Sequence, residues 1–412
     1  MAAGCLFVDM VPVVAGGTLL CGTAGDELVA ARFGLTREWV VQIPFDSAGW
    51  GVESVAIGDG LIVAMTGDGG VHAVSTAPAA DGMPRPGTVV WSRHIGRPGG
   101  PGQPAGIGDD IVAVSRDLDI WGLARDDGDI RWQKGMGHPA SGSSVSVGEW
   151  VYQPVMSDGM MRLPKNPWKY AEPSSDGGSK SVRGTQDRAA QQKLLERLRP
   201  ISIDAGGRIE SSPVAYEGGI VWATEAGVIV GIIPEGEEWL RLHFDLQYRL
   251  AGPIVVRGPA VYAATARGDL VRIEDHEHKD THQFDLVWHE ALPFAPDSGP
   301  LEGSGIVVVS LGSEGLIAYA SDSGEERWRS CVTGTPVAIM GDRVWLLDTV
   351  GRLSSVDVAT GMPAEWLCMG PFTVPVVNTV DHRLILASPD GLLVSLAPRR
   401  LPATAAPEAT AP

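Results

Sequence analysis

Apolar residues arrive along this chain in short runs, and one order recurs: an apolar run, a Gly/Asp turn, a second apolar run, a polar turn and then a tryptophan. The clearest copies are GDRVWLLDTVGRLSSVDVATGMPAEW at 341–366, SGIVVVSLGSEGLIAYASDSGEERW at 304–328 and GDDIVAVSRDLDIWGLARDDGDIRW at 108–132. Similar hairpins follow Gly17, Gly58, Gly148, Gly218 and Gly258, and HRLILASPDGLLVSL spans 382–396. Short apolar runs bounded by Gly and Asp predict strands joined by tight turns. Nearly continuous runs such as IVVVSL at 306–311 predict strands buried on both faces.

The tryptophans at Trp39, Trp91, Trp132, Trp239, Trp288, Trp328 and Trp366 are spaced by 52, 41, 107, 49, 40 and 38 residues. The long gap holds an irregular insertion at 164–200; without it about two periods remain, so one unit lacks its Trp. A unit of roughly 40 residues and four short strands is one propeller blade, which can bury its apolar faces only against its neighbours. The sequence therefore predicts an all-β chain: a single β-propeller over 1–397 of eight or nine four-stranded blades, followed by a low-complexity, disordered tail at 398–412. Counting hairpins gives nine. The last copy stops after its third strand near Leu396, and the apolar run Leu6–Val8 precedes the first, so an N-terminal strand is expected to complete the last blade and remove the exposed sheet edges.

The block formed by Asp357, Thr360, Gly361 and Trp366, repeated with closer spacing in Ser321, Ser323, Gly324 and Trp328, resembles the pyrroloquinoline-quinone-like propeller repeat. The resemblance implies that each Trp packs between blades and that the Gly turn joins the third and fourth strands. Dehydrogenases of this resemblance hold a quinone in the central funnel, above a vicinal cysteine pair and beside calcium bound by Glu, Asn and Asp. Here no two cysteines are adjacent, and the chain has only Asn166 and Asn378. The resemblance is therefore to a non-enzymatic branch, with no catalytic residue and no cofactor expected. Non-enzymatic precedents are the outer-membrane assembly lipoprotein and intracellular propellers associated with MoxR-class AAA ATPases and von Willebrand A proteins.

Composition adds compartment and partner class. Gly (53) and Pro (30) suit a turn-rich fold, and 44% hydrophobic with 20% charged residues is too apolar for a disordered chain. A net charge of −18 repels nucleic acid and anionic lipid and points to protein partners, basic ones among them. Cys5, Cys21, Cys331 and Cys368 suggest neither a disulfide framework nor a zinc knuckle. The N-terminal MAAGCLFVDMVPVVAGGTLLCG lacks a basic n-region, is interrupted by Asp9 and has Leu20 before Cys21, and no run spans a membrane. The expected setting is cytoplasmic, with the periplasm as the alternative, and the expected state a monomer or a subunit of a hetero-complex.

Two segments stand out from the repeat. In 164–200, eight basic and four acidic residues give +4, leaving −22 on the rest, and Thr185 to Pro200 brackets a short basic helix at about 186–199. Arg188, Lys193, Leu194, Arg197, Leu198 and Arg199 are its partner-binding candidates, by docking of an amphipathic helix; the alternative is packing of the helix on its own acidic body. EDHEHKDTH at 274–282 gathers His276, His278 and His282 among acids, the one dense set of metal-ligand types, at a position expected to be an elongated polar loop. The expected function is a non-catalytic scaffold for protein–protein interaction, in an intracellular assembly or, alternatively, as a cell-envelope assembly factor.

Overall fold

The computed structural model describes residues 25–77, 84–157, 159–166, 199–209, 211–235, 238–278, 281–348 and 351–399. Within them eight antiparallel sheets follow one another along the chain, each ordered from its innermost to its outermost strand. The first blade is Val52–Gly58, Leu61–Thr66, Gly70–Ser75 and Val89–His94, and the second Gly106–Ile107, Ile111–Arg116, Asp119–Ala124 and Ile130–Gly135. The third is Val145–Val147, Trp150–Val155, Gly159–Pro164 and Ile201–Asp204, and the fourth Val214–Tyr216, Gly219–Ala223, Val228–Glu235 and Glu238–Asp245. The fifth is Val255–Arg257, Ala260–Ala264, Asp269–His278 and Thr281–Ala291, and the sixth Leu301–Gly303, Ile306–Ser310, Leu316–Ala320 and Glu326–Ser330. The seventh is Thr335–Met340, Arg343–Leu347, Arg352–Asp357 and Pro363–Cys368.

The eighth blade joins the two ends of the described chain. Leu384–Ala387 pairs with Leu392–Pro398, which pairs with Leu35–Gln42 as outermost strand, while a single bridge from Val374 to Ala387 marks the innermost position. Ring closure by an N-terminal strand is as expected, but the strand is Leu35–Gln42; Leu6–Val8 lies outside the described residues. The hairpin count of nine falls to eight because the chain after Gly25 forms a short helix, α1 (Glu27–Arg32), and this closing strand, with no blade of its own.

Eight apolar clusters, each shared by two consecutive blades, form the core. Second and third strands such as Leu61–Thr66 and Gly70–Ser75 are buried throughout, whereas the outermost Leu35–Gln42 alternates between buried and exposed, as its edge position requires. Prolines 104, 213, 253, 300, 336 and 375 stand where the chain enters an innermost strand. An innermost strand is a sheet edge, where a missing N–H costs no ladder bond.

Tryptophan fastens the seams. Trp39, Trp91, Trp288 and Trp328 each lie against a positive-φ glycine in the turn between strands three and four of the next blade, respectively Gly87, Gly128, Gly324 and Gly361. A Cβ on Gly128 would sit 2.5 Å from the Trp91 ring, so the glycine is required by contact as well as by φ. The indole N–H of Trp91, Trp132, Trp288 and Trp328 donates to the carbonyl of Arg125, Lys165, Ser321 and Val358, each the first residue past a third strand. The third blade's outermost strand, Ile201–Asp204, is the one without a Trp, as the long gap predicts. Trp239 departs from the pattern: it lies opposite Pro234 near the hairpin tip and meets Tyr152 of the preceding blade edge-on, while Leu242, opposite Gly231, takes the interior position. Arg162 stacks between Trp150 and Trp239, 4.4 and 4.9 Å from the ring centroids.

Candidate interaction face

The two faces of the ring differ in what connects the strands. One, the loop face, carries the inter-blade crossings and the turns between second and third strands; the other, the turn face, carries the remaining turns.

On the loop face the crossings converge on the channel mouth with small residues. A Cβ on Gly252 would lie 2.2 Å from the Gly299 amide nitrogen, and one on Gly299 would lie 2.3 Å from the Pro253 carbonyl, so neighbouring crossings touch backbone to backbone. The Ser143 amide donates to Ser212 Oγ at 3.0 Å in the same ring of contacts. A cavity of about 400 Å³ opens here across the second to fifth blades, lined by serines, glycines, Gln103, Thr224 and Arg249 among others.

The loops of this face carry exposed apolar side chains: Trp50, Leu118, Met156, Tyr248 and Phe294. Their supports are rigid. Arg116, 1% exposed, donates to the carbonyls of Thr66 (3.1 Å), Gly67 (3.0 Å) and Arg97 (3.2 Å) and pairs with Glu53 at 3.3 Å. One buried guanidinium thus ties two loops to the strand that carries Glu53, and Trp50 leans over a glycine of each loop, Gly67 and Gly99. Asp117, at φ 56°, accepts from the Arg97 amide and turns the chain so that Leu118 points outward. Tyr248 is held by Arg267, whose guanidinium lies 4.5 Å from the ring centroid and donates to the hydroxyl. Exposed apolar groups on pinned loops lose little side-chain entropy on contact, which favours binding.

The described ends of the two sequence-predicted segments lie on the turn face. The 164–200 segment joins third and fourth strands of the third blade, rooted at Lys165, which is buried and 3.7 Å from Asp110, and at exposed Arg199. Arg188, Lys193, Leu194, Arg197 and Leu198, with the helix at about 186–199, fall outside the described residues. The histidine segment is not an elongated loop but the end of a long hairpin of the fifth blade, paired out to His278 and Thr281. His276 lies opposite Gln283 and His282 opposite Glu277, so the alternation of the ribbon puts these two histidines on opposite sides. His282 Nδ1 is 3.0 Å from Asp275 and His276 Nδ1 is 3.8 Å from Asp285. Among the described residues no group of three His, Cys, Asp or Glu is disposed to hold a metal. Sequence reasoning missed the loop-face residues; the available signal was Trp50, flanked by glycines and outside the tryptophan period.

The model of the family described as outer membrane protein assembly factor BamB matches residues 7–163 and 184–391. No curated protein matches the chain in sequence. Among solved structures, BamB from Moraxella catarrhalis is 13% identical with a TM-score of 0.64, covering 90% of this chain and 99% of that one. A computationally designed propeller, Ika8, is 11% identical with a TM-score of 0.59, covering 86% and 98%. Quinohemoprotein alcohol dehydrogenase from Comamonas testosteroni is 12% identical with a TM-score of 0.52, covering 91% and 78%. At these identities the likeness is one of fold. Among the described residues that line the cavity at the crossings, Arg249 is the one charged group.

Proposed function

This chain belongs to the family of outer membrane protein assembly factor BamB, and we propose from that premise that it is a non-catalytic scaffold whose loop face docks a protein partner. The observation that carries the reading is the set Trp50, Leu118, Met156, Tyr248 and Phe294, exposed on the loops of one face, with Trp50, Leu118 and Tyr248 on loops held by Arg116, Asp117 and Arg267. Large side chains held on rigid supports are the usual anchors of protein interfaces. The family's description favours a role in the cell envelope over the intracellular ATPase-associated setting that the acidic composition also accommodates. Its partner is a protein subunit of the same assembly, with basic groups complementing the net charge of −18.

A photo-crosslinking residue at Phe294 tests this. It should trap a discrete partner in the envelope fraction, and the same residue at Ile130 on the outer rim should not; equal trapping at both, or none at Phe294, overturns the proposal. Trp50→Asp with Phe294→Asp should abolish the adducts made from Tyr248 without moving the thermal midpoint.

A further inference from the structure

Trp50 and Glu53 meet over one glycine. A Cβ on Gly67 would lie 3.0 Å from Trp50 Cε3 and 3.2 Å from Glu53 Oε1, so the indole and the carboxylate share one patch of bare backbone. A Cβ on Gly99 would lie 3.5 Å from Trp50 Cζ3 and Cη2, which sets the same ring against a second loop. Seated on both glycines, the indole is still 40% exposed.

The strand itself aims Glu53 out of the ladder. In the first blade Val52 pairs with Thr66 and Ser54 with Met65, so Glu53 is the extra residue of a β-bulge on the innermost strand. A bulge takes its extra side chain out of the strand's alternation. Glu53 Oε2 lies 3.3 Å from the buried Arg116 guanidinium, whereas Oε1 has no hydrogen-bond partner among the described residues. The Glu53 side chain is 41% exposed. Arg116 therefore fixes the carboxylate through one oxygen and leaves the other unused. The segments that meet here, 43–53, 66–69, 95–105 and 116–118, carry Asp46, Glu53, Asp68 and Asp117 against Arg97 and Arg116, so the local charge is negative.

We propose that Trp50 and Glu53 form a subsite for an arginine side chain of the docking partner. A planar guanidinium can stack on the indole and donate to Glu53 Oε1 at once, which the compact ammonium of a lysine does less well. Both groups are held before the partner arrives, Glu53 by Arg116 and Trp50 by its seat on Gly67 and Gly99, so little ordering offsets the contact. The proposal rests on the loop-face reading and adds the side chain that this part of the face accepts.

Fluorine NMR of the full chain labelled with 5-fluorotryptophan tests it, with the Trp50 resonance identified by its loss in Trp50→Phe. An arginine tetrapeptide with blocked ends should shift that resonance saturably and leave the Trp366 resonance in place. Trp366 is the control because it is 50% exposed but already has the Arg352 guanidinium 5.3 Å from its ring centroid. A lysine tetrapeptide should bind severalfold more weakly, and a glutamate tetrapeptide should leave Trp50 unmoved. Glu53→Gln, which keeps an acceptor for Arg116, should weaken arginine-peptide binding roughly tenfold. The proposal is overturned by a Trp50 resonance that ignores the arginine peptide, by an equal response to the lysine or glutamate peptide or at Trp366, or by unchanged affinity in Glu53→Gln. Crosslinking at Phe294 separates the two readings: trapping there with Trp50 silent to the arginine peptide ends the subsite alone, and absence of trapping ends the loop-face reading whatever Trp50 does.

Discussion

His72, in the third strand of the first blade, is held neutral by its surroundings. It is 1% exposed, its Nδ1 lies 2.9 Å from Ser92 Oγ and its Nε2 3.3 Å from Thr66 Oγ1. Burial pushes its pKa down to about 4, with Asp68 pulling the other way and His94 reinforcing the drop. An unfolded histidine titrates near 6.5, so below that pH the unfolded chain binds a proton that the folded chain refuses. The stability this group contributes is complete above pH 6.5 and is lost as pH falls towards 4, by about 3 kcal/mol across the window. Urea unfolding of His72→Gln should show a shallower loss between pH 6.5 and 4 than wild type; parallel losses would show that His72 is not responsible. Nothing in the sequence GVHAVS marks this histidine as buried in a polar network, because its partners lie on two other strands.

Between elements, the tryptophan seams convert a spacing into energy. An indole at a seam buries roughly 150–250 Å², of order 4–6 kcal/mol of transfer free energy. Trp328→Ala should therefore destabilise by about 3–5 kcal/mol, and the half-exposed Trp366→Ala by less than about 1 kcal/mol, read from denaturant midpoints at constant m. Equal losses at both positions would contradict the difference in burial. The strands, their period and the Trp–Gly contact were legible because each is local and repeats. Trp239 misled because spacing alone does not report register: the hairpin of the fourth blade is long, and its Trp stands opposite Pro234 rather than at the interior position. The histidine hairpin misled in the same way, since its polar residues follow a strand's alternation over a length where other blades turn. Arg116 and the exposed loop-face groups follow no period, and only the meeting of crossings from different blades makes them one surface.

At the scale of the ring, the eighth blade has its innermost strand reduced to a single bridge and lacks the covalent connection between its third and outermost strands. In the second, sixth and seventh blades two residues separate the strand-exit residue from the docking glycine: Asp126–Asp127 between Arg125 and Gly128, Asp322–Ser323 between Ser321 and Gly324, Ala359–Thr360 between Val358 and Gly361. Arg399 and Gly34 are the corresponding pair in the eighth, and the Arg399 amide already donates to the Gly34 carbonyl at 2.7 Å. A two-residue Asp-Ser bridge from Arg399 to Gly34 would make that blade continuous, and the chain can be reopened between Asn166 and Arg199, where the repeat is interrupted. Such a permutant should keep the far-ultraviolet spectrum of the parent and unfold at a higher denaturant midpoint, because the last blade no longer depends on pairing between distant parts of the chain. A permutant that folds with a lower midpoint would show that α1 contributes more to the last seam than a covalent turn does.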